Sequence, residues 1–130
     1  MNFCLVLEYD GSEFGGWQVQ SGDTRTVQGC LRDAAERIAG APAVVRGSGR
    51  TDAGVHAEGQ VATIEVETRL DAPALQRALN GVLPSDIAVL RLGPAAPEFD
   101  PRRHAHSKYY RYCLWNGPQR SPLRAARSLY

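Results

Sequence analysis

At 130 residues, with 43% apolar residues, 22% charged residues and a net charge of +1, the chain has the composition of one globular domain with a real core. No apolar run approaches the ~20 residues of a membrane span, and Met1-Asn2-Phe3-Cys4-Leu5-Val6-Leu7-Glu8 lacks the basic leader of a signal peptide. Cys4, Cys30 and Cys113 are scattered without metal-ligand spacing or a disulfide framework, which points to a reducing cytoplasm.

Phe3 to Tyr9 sets Phe3, Leu5, Leu7 and Tyr9 on one face and Cys4 and Val6 on the other, the pattern of a central strand. Asp10-Gly11-Ser12 ends it. Phe14-Gly15-Gly16-Trp17-Gln18 follows as a Gly-rich loop whose two aromatics either plug the core or shape a ligand cleft. Val27, Cys30, Leu31, Ala34, Ala35 and Ile38 recur at helical spacing, with Thr26 as N-cap and Gly40 as stop. Ala43 to Arg46 predicts a short strand, and Ala62, Ile64 and Val66 predict another with one wet face. Asp71 caps a second helix with Pro73 in its first turn, Leu70 placed to staple onto Leu75, and a buried stripe of Leu75, Ala78, Leu79 and Val82. Asn80-Gly81 with Pro84 ends it. Asp86 to Leu92 predicts a strand, and Ser107 to Trp115 a last one, with Tyr110, Tyr112 and Leu114 on one face and Tyr109, Arg111 and Cys113 on the other. The order β-α-β-loop-β-α-β, with an added C-terminal strand, predicts an α+β fold: a ferredoxin-like split βαβ sheet with two helices on one face.

Charge divides the chain unevenly. Residues 1–100 carry eight Arg and no Lys against fourteen Asp and Glu, a balance of −6; residues 101–130 carry six Arg and one Lys with no acid, a balance of +7. A basic stretch interleaved with aromatics suits a polyanion, or is simply a solvated tail. From Asn116 onward Pro, Arg and Ser dominate, and Leu129-Tyr130 ends without a closing signal, as in a chain cut from something longer.

Between the two middle strands, Gly47 to Ala57 (GSGRTDAGVHA) packs three glycines, an arginine, one carboxylate and a histidine. A solvated turn is one reading. A dinucleotide fingerprint needs a helix directly after the glycines, and here a strand follows. A metal site would draw on Asp52 and His56, with His104 and His106, but no cysteine or second carboxylate completes it. The remaining chemistry is a lone carboxylate, Asp52, acting as nucleophile or base, with Arg50 two residues earlier to hold a phosphate or the acid's own charge.

Gly49-Arg50-Thr51-Asp52-Ala53-Gly54-Val55-His56-Ala57 resembles the signature of TruA-type tRNA pseudouridine synthases. Three further stretches resemble that family in order and spacing. They are Tyr9-Asp10-Gly11-Ser12-x-Phe14-x-Gly16-Trp17-Gln18, then Phe99-Asp100-Pro101-Arg102-Arg103-His104-Ala105 with Pro101 for the usual alanine, then Lys108-Tyr109-Tyr110-Arg111-Tyr112. The resemblance implies isomerisation of uridine to pseudouridine in the anticodon stem-loop of tRNA (positions 38–40), without a cofactor or a metal.

By that resemblance Asp52 is the nucleophile that breaks the N-glycosidic bond, attacking either the base at C6 or the sugar carbon. Arg50 helps extrude the nucleotide, Tyr110 stacks on the target base, and Thr51, Arg102 and Lys108 belong to the RNA-binding set. A uridine in a stem is out of a carboxylate's reach and must be flipped at a cost of a few kcal/mol; stacking on an aromatic returns about 1–3 kcal/mol. Arg102, Arg103, Lys108 and Arg111 would add salt-dependent phosphate attraction. Tyr112 is assigned to the core and His56 to structural support of the loop.

Family members look roughly twice this length, with a second domain that carries a basic partner for the nucleophile and apolar residues closing the pocket, and they are expected to dimerise. The chain then divides into a nucleophile-bearing domain, 1–115, and a basic linker or start of a second domain, 116–130. Alone, it would have weak or no activity. A non-catalytic RNA-binding module is the alternative, since ferredoxin-like sheets bind single strands through exposed aromatics.

Overall fold

The expected central strand sits at the centre. In the computed structural model, which describes residues 1–130, β1 (Asn2–Tyr9) buries Phe3, Leu5, Leu7 and Tyr9 on one face. It pairs antiparallel with β3 (Ala57–Glu65) through Leu5↔Ala62 and with β4 (Ile87–Ala95) through Leu5↔Leu92. A short β2 (Val44–Gly47) pairs antiparallel with β3, giving the order β2-β3-β1-β4. With the helices α1 (Val27–Ala39) and α2 (Ala72–Val82) this is the ferredoxin-like α+β plan. None of its helices is long and apolar enough to cross a membrane.

Local chemistry accounts for the helix ends. Thr26 Oγ1 accepts the Gly29 N–H at 3.2 Å, and Gly40 takes the left-handed conformation (φ 66°) that closes α1. Asp71 accepts the Ala74 N–H at 2.9 Å at the start of α2. Such caps contribute about 1 kcal/mol each. α2 ends at Val82, just before Pro84, and the Asn80 amide in its last turn bonds the following strand. Its Nδ2 donates to the Val89 carbonyl at 2.9 Å and its Oδ1 accepts the Val89 N–H at 2.8 Å, which ties α2 to the outer edge of β4. Gln76 adds bonds to the Val89 and Leu90 carbonyls. Leu75 and Leu79 are fully buried beneath this polar stripe.

The added C-terminal strand does not form. From Ser107 to Cys113 the chain has no regular structure, and only one isolated bridge, Leu114↔Leu129, follows. Alternation gives a segment the capacity to be a strand, but a strand needs an edge. Here α2 side chains occupy Val89 and Leu90 on the outer edge of β4, and on that of β2 Gln28 Nε2 donates to the Val45 carbonyl at 2.8 Å. Tyr112 is accordingly 89% exposed, which corrects its assignment to the core.

Candidate active site

The loop Ser48–His56, between β2 and β3, is shaped from within and braced from below. Gly54 has φ 82° and the Val55 N–H donates to the Asp52 carbonyl at 3.1 Å, so Asp52 opens a tight turn. The second Gly-rich segment lies against it. Trp17 N–H donates to the Thr51 carbonyl at 3.0 Å, Gly54 N–H to the Phe14 carbonyl at 3.3 Å, and Gly11 N–H to His56 Nδ1 at 2.9 Å. Gly11 is required by contact: a Cβ there would lie 1.9 Å from the Val55 carbonyl oxygen.

Aromatic packing supplies the floor. Phe14 and Trp17 are both buried, 4% and 3% exposed, with Tyr9 stacked on Trp17 at 6.4 Å and the Phe14 ring edge-on to Tyr9 at 6.5 Å. The Tyr9 hydroxyl meets Thr51 Oγ1 at 2.7 Å. Burial raises the Tyr9 phenol, the Thr51 and Gln60 hydrogen bonds oppose that rise, and the neighbouring Tyr110 phenol adds to it. Gln60, on β3, holds the first half of the loop: its Nε2 donates to the Gly49 carbonyl at 2.6 Å and its Oε1 accepts Ser48 Oγ–H at 3.0 Å. Tyr9 and Gln60 were not singled out from the sequence, because strand alternation reads them as ordinary core and wet-face residues.

On this frame the Asp52 side chain is exposed and makes no hydrogen bond or ion pair within the chain. Thr51 is committed to Tyr9. Arg50 and Arg102 line one cavity of about 200 Å³ together with Trp17, Arg46 and Gly47; Asp52 lies outside its lining. Lys108 packs against Gly49, and Tyr110, 65% exposed, lies near Tyr9. Arg50, Arg102 and Lys108 therefore gather on one side of the loop, with Asp52 on the turn beyond them. Arg111 is engaged elsewhere, in an ion pair with Glu58.

His56 acts through structure. Nδ1 accepts the Gly11 N–H, so the neutral ring carries its proton on Nε2, which donates to the Ala126 carbonyl. Asp10 Oδ1 lies 3.2 Å from Nδ1, a contact that becomes an ion pair only on the protonated ring. Asp10 also accepts Arg127 Nη2 at 2.9 Å and Ser12 N–H at 3.0 Å, and Arg127 first and Ser12 second hold its carboxyl well below the usual carboxylate range. The Asp-Gly-Ser turn is readable in sequence; its partner 117 residues away is not. His104 is likewise structural, with Nδ1 accepting the Asp100 N–H at 3.0 Å and its ring stacked on Phe99.

The arrangement offers one unencumbered carboxylate on a rigid turn beside a cluster of cations. A family model described as tRNA pseudouridine synthase matches residues 5–102. The chain is 48% identical over 120 residues to tRNA pseudouridine synthase A of Pelobacter propionicus, covering 92% of this chain and 49% of the relative. It is 47% identical to the protein of that name from Solidesulfovibrio magneticus (88% and 42% covered) and 47% identical to the one from Myxococcus xanthus (92% and 45%). The chain spans about half the length of the curated relatives it matches.

Proposed function

We propose that this chain, which belongs to the tRNA pseudouridine synthase family, provides the nucleophile-bearing half of an enzyme that isomerises uridine to pseudouridine in the anticodon stem-loop of tRNA, in the cytoplasm. The observation that carries the reading is Asp52 itself: a carboxylate free of internal partners, at the head of a turn that three backbone hydrogen bonds and the Tyr9–Thr51 contact hold in place. A group committed to no partner in the resting protein is available to form a covalent bond to substrate.

In this reading the uridine leaves its stack and enters beside the turn, Arg50 fills the vacated position, and Tyr110 stacks on the base. Asp52 attacks either C6 of the base or C1′ of the sugar. The N1–C1′ bond breaks, the uracil turns, a C5–C1′ bond forms, the bond from Asp52 to C1′ or C6 breaks to return the carboxylate, and the C5 proton is lost while N1 gains one. Atoms and electrons balance without an oxidant or a second substrate. Thr51, Arg102 and Lys108 hold the RNA. Residues 1–115 form the nucleophile-bearing domain and 116–130 lead into the second half, which would bring a basic partner for Asp52, close the pocket and take part in dimerisation.

A second reading, an RNA-binding module without turnover, draws on the exposure of Asp52 and the arginines around the neighbouring cavity. Substituting Asp52→Ala in the longer polypeptide separates the two. Release of the C5 hydrogen from an anticodon stem-loop RNA should vanish while RNA affinity stays within about twofold; retained turnover would remove Asp52 as nucleophile.

A further inference from the structure

We propose that the cavity at the outer edge of β2 is an anion subsite for one phosphodiester group of the RNA backbone, and that Arg46 is a binding residue there; this rests on the RNA reading above. Three arginines line the cavity, Arg46 from β2, Arg50 from the loop and Arg102 from the segment after β4. Arg102 lies more than fifty residues beyond the other two, and two of the three are unpaired. Arg50 and Arg102 make no side-chain hydrogen bond or ion pair. Arg46 has one, with Glu65 at 3.3 Å, and both side chains are more than half exposed. Such a pair contributes about 0–1 kcal/mol, so an incoming phosphate can displace it.

Only one acid lines the cavity. Asp100 Oδ1 accepts the backbone N–H groups of Arg102 and Arg103 at 2.8 and 3.1 Å, which hold its carboxyl below the usual range. It shapes the turn that presents Arg102 and leaves the guanidinium groups free. Arg102 has no bonded anion and Arg46 only the exposed Glu65, so a phosphodiester can enter with forked, charge-assisted hydrogen bonds from both, with Arg50 on the side towards the loop. The Gln18 amide, which makes no hydrogen bond of its own, adds a further donor.

Size and shape select the group. At about 200 Å³ the cavity is below the roughly 300–1,000 Å³ of pockets for whole small molecules. Its only apolar residues are Trp17 and Val45, too little for a base-stacking slot. Gly47 lets the Trp17 indole pack close against β2 in the cavity wall, because a Cβ there would lie 2.7 Å from the ring. Arg50 lines the cavity and Asp52 does not, so a bound phosphate sits to one side of the carboxylate instead of repelling it. The subsite thus fixes the backbone beside the reacting nucleotide.

Two measurements on the 130-residue chain test this. In a titration with inorganic phosphate followed by amide and indole NMR, the Gly47 and Gly49 amides and the Trp17 indole N–H should shift, and Arg46→Gln should abolish those shifts. Glu65→Gln, which releases Arg46, should tighten phosphate binding; weaker binding would count against the subsite. With an anticodon stem-loop RNA, Arg46→Gln should lower affinity about tenfold and reduce the dependence of log K on log salt by about one. Unchanged affinity and slope in a variant that still binds RNA would overturn the subsite, with the Asp52 reading intact. Phosphate shifts without any RNA binding would overturn the RNA assignment and leave a free-anion site.

Discussion

At the scale of single residues, close contacts decide more than charges do. Gly11 meets the backbone of the Ser48–His56 loop so closely that Gly11→Ala must displace either strand end or loop. Overpacking of this kind costs about 1–3 kcal/mol. The variant should melt at a lower temperature and lose the Gly11–His56 hydrogen bond, seen as a changed His56 ring environment by NMR; an unchanged melting curve would contradict the contact. The Gly-rich run between the strands was legible, as were Asp52 and Arg50 within it, because glycine density and a lone acid are local facts. Arg46 was not, since nothing near it in sequence announces a cavity that Arg102 completes from fifty-six positions further on. The Asp10–Arg127 pair was hidden for the same reason.

Among the elements, α2 is the instructive one. Its apolar stripe and its Asp71 cap follow directly from the sequence, but Asn80 does not: an Asn-Gly pair reads as a helix stop, and the structure uses the amide as a clamp on β4. Asn80→Ala would leave the Val89 N–H without a partner on that side and its carbonyl with Gln76 alone, and should destabilise the chain by about 1–3 kcal/mol. Native-state hydrogen exchange should quicken at Val89 and Leu90 while the β1 amides keep their protection. The misread Ser107–Trp115 strand teaches the converse. Its alternation is real, and no position along the sequence says whether an edge is open to receive it.

For the molecule as a whole, acid is the sharpest probe. Arg25 holds Asp86 in a two-point ion pair at 2.8 and 2.9 Å, and its hydrogen bonds lower the Asp86 carboxyl. Asp10 is lowered in the same sense by Arg127 and Ser12. A carboxyl whose folded pKa lies below its unfolded value near 4 stabilises the fold above that value, and the stabilisation is lost as pH falls towards the folded one. The urea midpoint should therefore drop between about pH 5 and about pH 3. Asp86→Asn should cost about 1 kcal/mol at neutral pH and flatten that drop; a variant as acid-sensitive as the parent would rule out the Arg25 pair as its source.

The covered sheet edges carry a consequence for self-association. Exposed strand edges are templates on which other chains add in register and grow into fibres. Here β2 offers Val45 to Gln28, β4 offers Val89 and Leu90 to Asn80 and Gln76, and Pro94 removes a donor from the far end of β4. Side chains of the chain itself thus occupy part of each outer edge of the four-stranded sheet, which leaves fewer backbone groups for a second copy to pair with.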